Sequence, residues 1–244
     1  MNWKLFSRRN KNLAEKWNIK TMFGPNLNFA ATEGYKLLRT NIMFSFPDEA
    51  HCRVVGITSA VQTEGKSSTV CNTAYAMAES GARVLLLDAD LRRPSISSKL
   101  GLARAPGLSN LLVAKGNFRE MIQTSTLAPN MDVITSGDVP PNPSELLGSN
   151  KMASLIEELS HHYDYIIVDL PPVTMVSDAV AMSKMLDGVV MVVRSGVTER
   201  RLLREALRQL KLVNVRILGF VYRDADREKT DYGYRYSKRI KKYY

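Results

Sequence analysis

An α/β fold with a mostly parallel central sheet and helices on both faces is predicted by three observations. Runs of apolar, often β-branched residues at 54–57, 84–87, 165–168 and 189–193 show no polar alternation, as strands covered on both faces require, and a last strand at 215–221 carries Arg216. Stretches with apolar residues at helical spacing separate most of these runs, which gives the β-α-β order of a parallel sheet. The first run leads through a short loop into Gly65-Lys66-Ser67 and then a helix, a phosphate-loop arrangement. A chain of 244 residues with 45% hydrophobic content is enough for one such core.

The chain divides into a flexible basic segment at 1–26, a folded domain at 27–223 and a flexible, basic, tyrosine-rich tail at 224–244. Residues 1–20 carry six basic side chains and one acidic, and Phe23-Gly24-Pro25-Asn26 forms a turn. Thr32 is placed to cap a helix running to about 44, with Tyr35, Leu38 and Ile42 on one face. Glu33, Lys36 and Arg39 lie near the other, either as an exposed charged face or as groups that pair between copies of the chain. The helix after the phosphate loop carries Val70, Ala74, Met77 and Ala78 inward. Residues 95–130 alternate short helical pieces and turns. After a strand at 131–134, Pro140, Pro141 and Pro143 stiffen a loop in which Ser144 is placed to cap a short helix. Met152, Leu155, Ile156 and Leu159 mark the next helix; the adjacent His161 and His162 point apart and make no metal pair. A helix from about 198 turns Leu202, Leu203, Ala206, Leu207 and Leu210 inward before the last strand.

The chemistry gathers at strand ends. In an open α/β sheet ligands sit beyond the carboxyl ends of the strands. Backbone N–H groups and the dipole of the helix opening at Gly65 favour phosphate there. Lys66 can reach the β/γ-phosphates and the Ser67 hydroxyl can ligate Mg²⁺. The loop departs from the common G-x-x-x-x-G-K-[ST] form in having Ala60 at the first glycine. The second strand leaves Asp88 and Asp90, two carboxylates able to hold Mg²⁺ or to take a proton, or else to brace a turn with Arg92 and Arg93. The apolar run at 165–168 ends in Asp169, a Walker B position suited to Mg²⁺.

Composition narrows the setting. Two cysteines, Cys52 and Cys71, are too few for a disulfide framework and favour a reducing compartment. No apolar run approaches the roughly 18–20 residues of a membrane span, and the basic N-terminus lacks a secretory core, so a cytoplasmic chain is expected. The formal charge is +10, most of it in the two ends, which suits an acidic partner or an anionic membrane surface. No aromatic single-strand platform or zinc pattern points to nucleic acid. Five of the ten tyrosines, Tyr232, Tyr234, Tyr236, Tyr243 and Tyr244, fall in the last thirteen residues, on a segment able to enter an active site.

These motifs resemble those of the bacterial tyrosine kinases of capsular and exopolysaccharide synthesis, the CpsD-like group. The resemblance rests on Glu33-x-x-Lys36-x-x-Arg39, Thr63-Glu64-Gly65-Lys66-Ser67-Ser68, Asp88-Ala89-Asp90-Leu91-Arg92, Pro140-Pro141-Asn142-Pro143-Ser144-Glu145-Leu146-Leu147, Asp169-Leu170-Pro171-Pro172 and the tyrosine tail. It implies a P-loop NTPase-type domain using ATP and Mg²⁺ to phosphorylate the five tail tyrosines, in trans within a ring-like homo-oligomer. Residues Thr63 to Ser68 would bind nucleotide, Ser67, Asp90 and Asp169 would serve the metal, and Asp88 would be the base. Lys66 would stabilise the phosphates, and Glu33, Lys36 and Arg39 would form the subunit interface. It also implies a membrane-embedded polysaccharide co-polymerase or adaptor as activator, a cognate tyrosine phosphatase, and a peripheral place at the inner face of the membrane. Lys36 replaces the usual arginine, Gln62-Thr63 the usual Pro-Gly, Leu170 a threonine and Tyr222 an asparagine. Two other readings remain at this point: a partition- or septum-positioning ATPase without kinase activity, disfavoured by Val61 where a second lysine is usual, and a nucleotide-binding membrane-assembly module.

Overall fold

A computed structural model describes residues 23–46, 51–114 and 116–224 of the chain. Seven strands form one sheet: β1 Arg53–Ser59, β2 Val84–Asp88, β3 Ile122–Thr124, β4 Met131–Ile134, β5 Tyr165–Asp169, β6 Gly188–Arg194 and β7 Ile217–Arg223. Their order across the sheet is β3-β4-β2-β5-β1-β6-β7. Every ladder is parallel except that of β3 with β4. The described helices are α1 Phe29–Phe44, α2 Lys66–Glu79, α3 Ile96–Leu100, α4 Leu108–Val113, α5 Pro143–Leu147, α6 Asn150–Ser160, α7 Asp178–Met182 and α8 Arg200–Leu212, with single 3₁₀ turns between some of them.

The central strands are buried on both sides, and their alternation divides the core in two. Ile166 and Val168 face a layer built with Met152, Ile156 and Leu159 of α6 and Ala206 and Leu210 of α8. Ile167, between them, faces Ile42 of α1 and Val70, Ala74 and Met77 of α2. Register then fixes which strand ends meet. Asp169 stands opposite Ile57 of β1 on one side and Asp88 of β2 on the other. The phosphate loop after β1 and the acidic ends of β2 and β5 are therefore brought side by side.

Local expectations need several corrections. Asn28, in extended conformation, caps α1 through its Oδ1, which accepts from Ala31 N at 3.0 Å. Thr32 lies one turn inside the helix, and its hydroxyl donates to Asn28 O at 3.1 Å. Ser144 likewise sits within α5 rather than capping it; Asn142 is the capping residue, and the Ser144 hydroxyl is taken up by Asp178. Packing begins ahead of residue 27: Phe23 is buried, and Gly24 N donates to Asn72 Oδ1 at 3.0 Å. The three-residue β3 was hidden in the 95–130 region, because so short an edge strand has no readable alternation. The last strand begins at Ile217, two residues later than expected, and runs on to Arg223. On α1, Glu33 pairs with Lys36 at 3.0 Å, and Arg39 donates to the Ala76 carbonyl of α2 at 3.0 Å. Phe29 and Phe44 of the same helix stay exposed.

Candidate active site

The loop from Ala60 to Gly65 is shaped by the groups that hold it. Gly65 has φ +85°, the left-handed region, and a Cβ there would lie 2.1 Å from Arg223 Nη1. The Arg223 guanidinium donates to Gly65 O at 2.8 Å, and that of Arg194 donates to Thr63 O at 2.9 Å. Arg194 is itself paired with Asp224 at 2.6 Å. Buried Glu64 accepts from Val61 N at 2.8 Å with one oxygen and from the Thr198 hydroxyl with the other. Its carboxylate thus braces the loop from inside, and the Thr63 hydroxyl donates to the neighbouring Gln62 carbonyl at 2.6 Å. Any contact of Glu64 with a phosphate falls to its backbone, since its own charge would repel the ligand.

At the mouth of α2, Lys66 is nearly enclosed. Its Nζ lies 3.2 Å from Asp90 Oδ2 and is bonded to Asp169 Oδ1. Burial alone would depress the lysine pKa, but the charges of Asp169 and Asp90 hold it above the usual value. Asp88 is fully buried; its Oδ1 accepts from Asp90 N at 3.3 Å. Desolvation first, then the charge of Asp169, pushes Asp88 well above the ordinary carboxylate range. Desolvation raises Asp169 too, against the lowering effects of Lys66 and Ser67.

Asp88 Oδ2 and Asp169 Oδ2 are buried without a hydrogen-bond partner. Orphan carboxylate oxygens of this kind call for a cation or a proton. No group of three or more His, Cys, Asp or Glu among the described residues is already set to hold a metal. Mg²⁺ commonly takes one or two carboxylates and completes its shell with water and phosphate. Asp169 offers such an orphan oxygen, and Asp90 and the Ser67 hydroxyl line the cavity beside it, the Asp90 oxygens resting on Lys66 Nζ and Arg93 N.

A cavity of about 480 Å³ opens in front, lined among others by Gly65, Lys66, Ser67, Asp90, Pro172 and Met175. Its far edge is fixed by a tie absent from the sequence reading. The fully buried Asp178 carboxylate accepts from Arg92 Nε at 2.9 Å, from Arg92 Nη2 at 3.1 Å and from Ser144 Oγ at 2.5 Å. It joins the segment after β2, the proline-rich segment and the start of α7. Arg194, Thr198, Arg223 and Asp178 were all missed; Arg194 and Arg223 close strands β6 and β7, the one sequence signal that could have found them. Tyr232, Tyr234, Tyr236, Tyr243 and Tyr244 lie outside the described residues.

Residues 53–216 match a family model described as an AAA domain. The chain is 38% identical over 229 residues to the tyrosine-protein kinase YwqD of Bacillus subtilis, covering 93% of this chain and 94% of that protein. It is 33% identical to the tyrosine-protein kinase CpsD of Streptococcus agalactiae, covering 82% of this chain and 86% of the relative. Among solved structures, the kinase domain of the Escherichia coli tyrosine kinase ETK superposes with a TM-score of 0.74 at 34% identity, over 80% of this chain and 78% of that one.

Proposed function

The chain belongs to the bacterial tyrosine-protein kinases, and on that premise we propose that it moves the γ-phosphoryl group of ATP onto the tyrosines of its own tail, in trans within a ring-like oligomer. The observation that carries this reading is the ladder pairing of Asp88 with Asp169 beside Lys66, with one oxygen of each carboxylate left unpartnered.

Each group then has a task. The α2 amides and Lys66 hold the β/γ-phosphates, which compete with Asp169 and Asp90 for the ammonium. Ser67, Asp90 and Asp169 would hold Mg²⁺. Held there, it would supply positive charge against the charge that develops on the triphosphate. Asp88 takes the proton of the incoming phenol, from its place at the strand end opposite Asp169 and beside Lys66. Arg194, Arg223 and Glu64 keep the loop in shape, so little reorganisation is needed as charge builds. Exposed Phe29 and Phe44 with Glu33 and Lys36 on α1 support a subunit interface there.

The same reading places the kinase in the control of capsular or exopolysaccharide synthesis, with a membrane-embedded adaptor as activator and a tyrosine phosphatase as its counterpart. No described helix is long and apolar enough to cross a membrane, so attachment at the inner face would pass through that partner. Incubation of the purified full chain with labelled ATP and Mg²⁺, followed by mass-spectrometric mapping, tests the proposal. Label is expected on Tyr232, Tyr234, Tyr236, Tyr243 and Tyr244, and Lys66→Met and Asp88→Asn should each abolish it. Phosphate release without label on the protein would refute tail phosphorylation.

A further inference from the structure

Beyond Lys66 and Ser67, the cavity is edged by Arg92 and Arg93, which follow β2, and by Lys99 in the last turn of α3. Arg92 is neutralised by buried Asp178. Arg93 is not: its Nη1 donates to an uncharged amide oxygen, Gln62 Oε1, at 2.7 Å. Among the described residues no carboxylate pairs with Arg93 or with half-buried Lys99. Two uncompensated positive charges therefore border the same space as Pro172 and Met175, an apolar wall suited to a phenol ring.

We infer that Arg93 and Lys99 set acceptor choice, favouring a tyrosine whose preceding residues are acidic or phosphorylated. This rests on the tail being the acceptor. Tyr232 follows Asp231 directly, whereas Tyr234 follows Gly233, Tyr236 follows Arg235 and Tyr243 follows Lys242. Tyr232 is thus the first site. Transfer breaks the bond from the γ-phosphorus to its bridging oxygen, forms the bond to the Tyr232 oxygen and releases ADP, the phenolic proton going to Asp88. The new phosphate carries about −1.5 to −2 charge two residues ahead of Tyr234. It supplies there the charge that Asp231 supplies to Tyr232, and the same step primes Tyr236. Tyr243 and Tyr244, behind Lys241 and Lys242, react last.

Time-resolved mapping of phosphate at each tyrosine of the full chain tests this order. Tyr232 should gain phosphate about fivefold faster than Tyr243, the effect of two solvent-exposed charge pairs. Asp231→Lys, a change in the tail, should erase that lead. Arg93→Glu with Lys99→Glu in the wild-type tail should instead put Tyr243, behind Lys241 and Lys242, ahead of Tyr232. Lys99→Gln alone should narrow the lead without raising the KM for ATP. An unchanged order in Asp231→Lys overturns the inference, as does a raised ATP KM with unchanged order in Lys99→Gln, which would assign the lysine to nucleotide. In the unsubstituted chain, a labelled tail with Tyr243 ahead of Tyr232 sinks this inference alone, whereas a tail that never takes label sinks the reading beneath it.

Discussion

Replacing Lys66 with methionine removes the cation from a pocket that holds Asp88, Asp90 and Asp169, all buried. The methionine fills most of the space, so the lost term is mainly electrostatic. Breaking one partner out of a buried ion pair costs about 3–5 kcal/mol, and an effective dielectric near 20 gives about 4 kcal/mol for a pair at 4 Å. Taking about 3 kcal/mol, and about 2–4 °C per kcal/mol for a domain of this size, the melting temperature at pH 7.5 should fall by about 6–12 °C. The loss should shrink in acid. Lys66 is held above its ordinary pKa, so the wild type keeps this contribution at all lower pH and loses it only well into the alkaline range. In the variant, Asp88 and Asp169 lose a lowering influence and rise further. A carboxylate raised in the folded state binds more protons there than when unfolded. That stability is fully present below the unfolded pKa and is lost as pH climbs from there through the folded pKa. Between pH 7.5 and 5.0 protonation relieves up to about 3 kcal/mol, at about 1.4 kcal/mol per unit. Circular-dichroism melts of both proteins in chelator at the two pH values read this directly. A gap of equal size at both, or no gap at pH 7.5, would refute the idea that Lys66 shields the acidic cluster.

Gly65→Ala should destabilise by about 1–3 kcal/mol, because its φ of +85° is strained for alanine and its Cβ would meet Arg223; a urea titration reads the loss and isothermal titration a weaker hold on ATP. Asp178→Ala leaves Ser144 and the Arg92 guanidinium without their shared acceptor. Arg92 is partly in solvent, so about 2 kcal/mol is expected from the unfolding midpoint, with Asp178→Asn losing less. Asn28→Ala removes the α1 cap and should cost about 1 kcal/mol, seen as a fall of a few degrees in thermal melting.

The strands and the start of α2 were legible because their signals are local. A buried parallel strand is a short apolar run, and a loop closing on Gly65-Lys66-Ser67 before a helix needs only adjacent residues. Asp169 and Asp88 could be picked out as acids ending such runs, and the tyrosine-kinase family could be reached from those motifs. Asn28 and Thr32 are both plausible caps in sequence; which one acts depends on where the chain leaves Phe23 and Gly24 packed against α2. Strand order and ladder register set Asp88 opposite Asp169, and no segment carries that information by itself. Arg194 and Arg223 reach loop carbonyls 131 and 158 residues away in sequence, and Arg92 reaches Asp178 across 86. Nearest-neighbour chemistry therefore named the nucleotide loop and its acids, while the assembled sheet decided what braces them. Periodicity is written in consecutive residues, whereas a hydrogen bond between distant ones exists only once the core between them has packed.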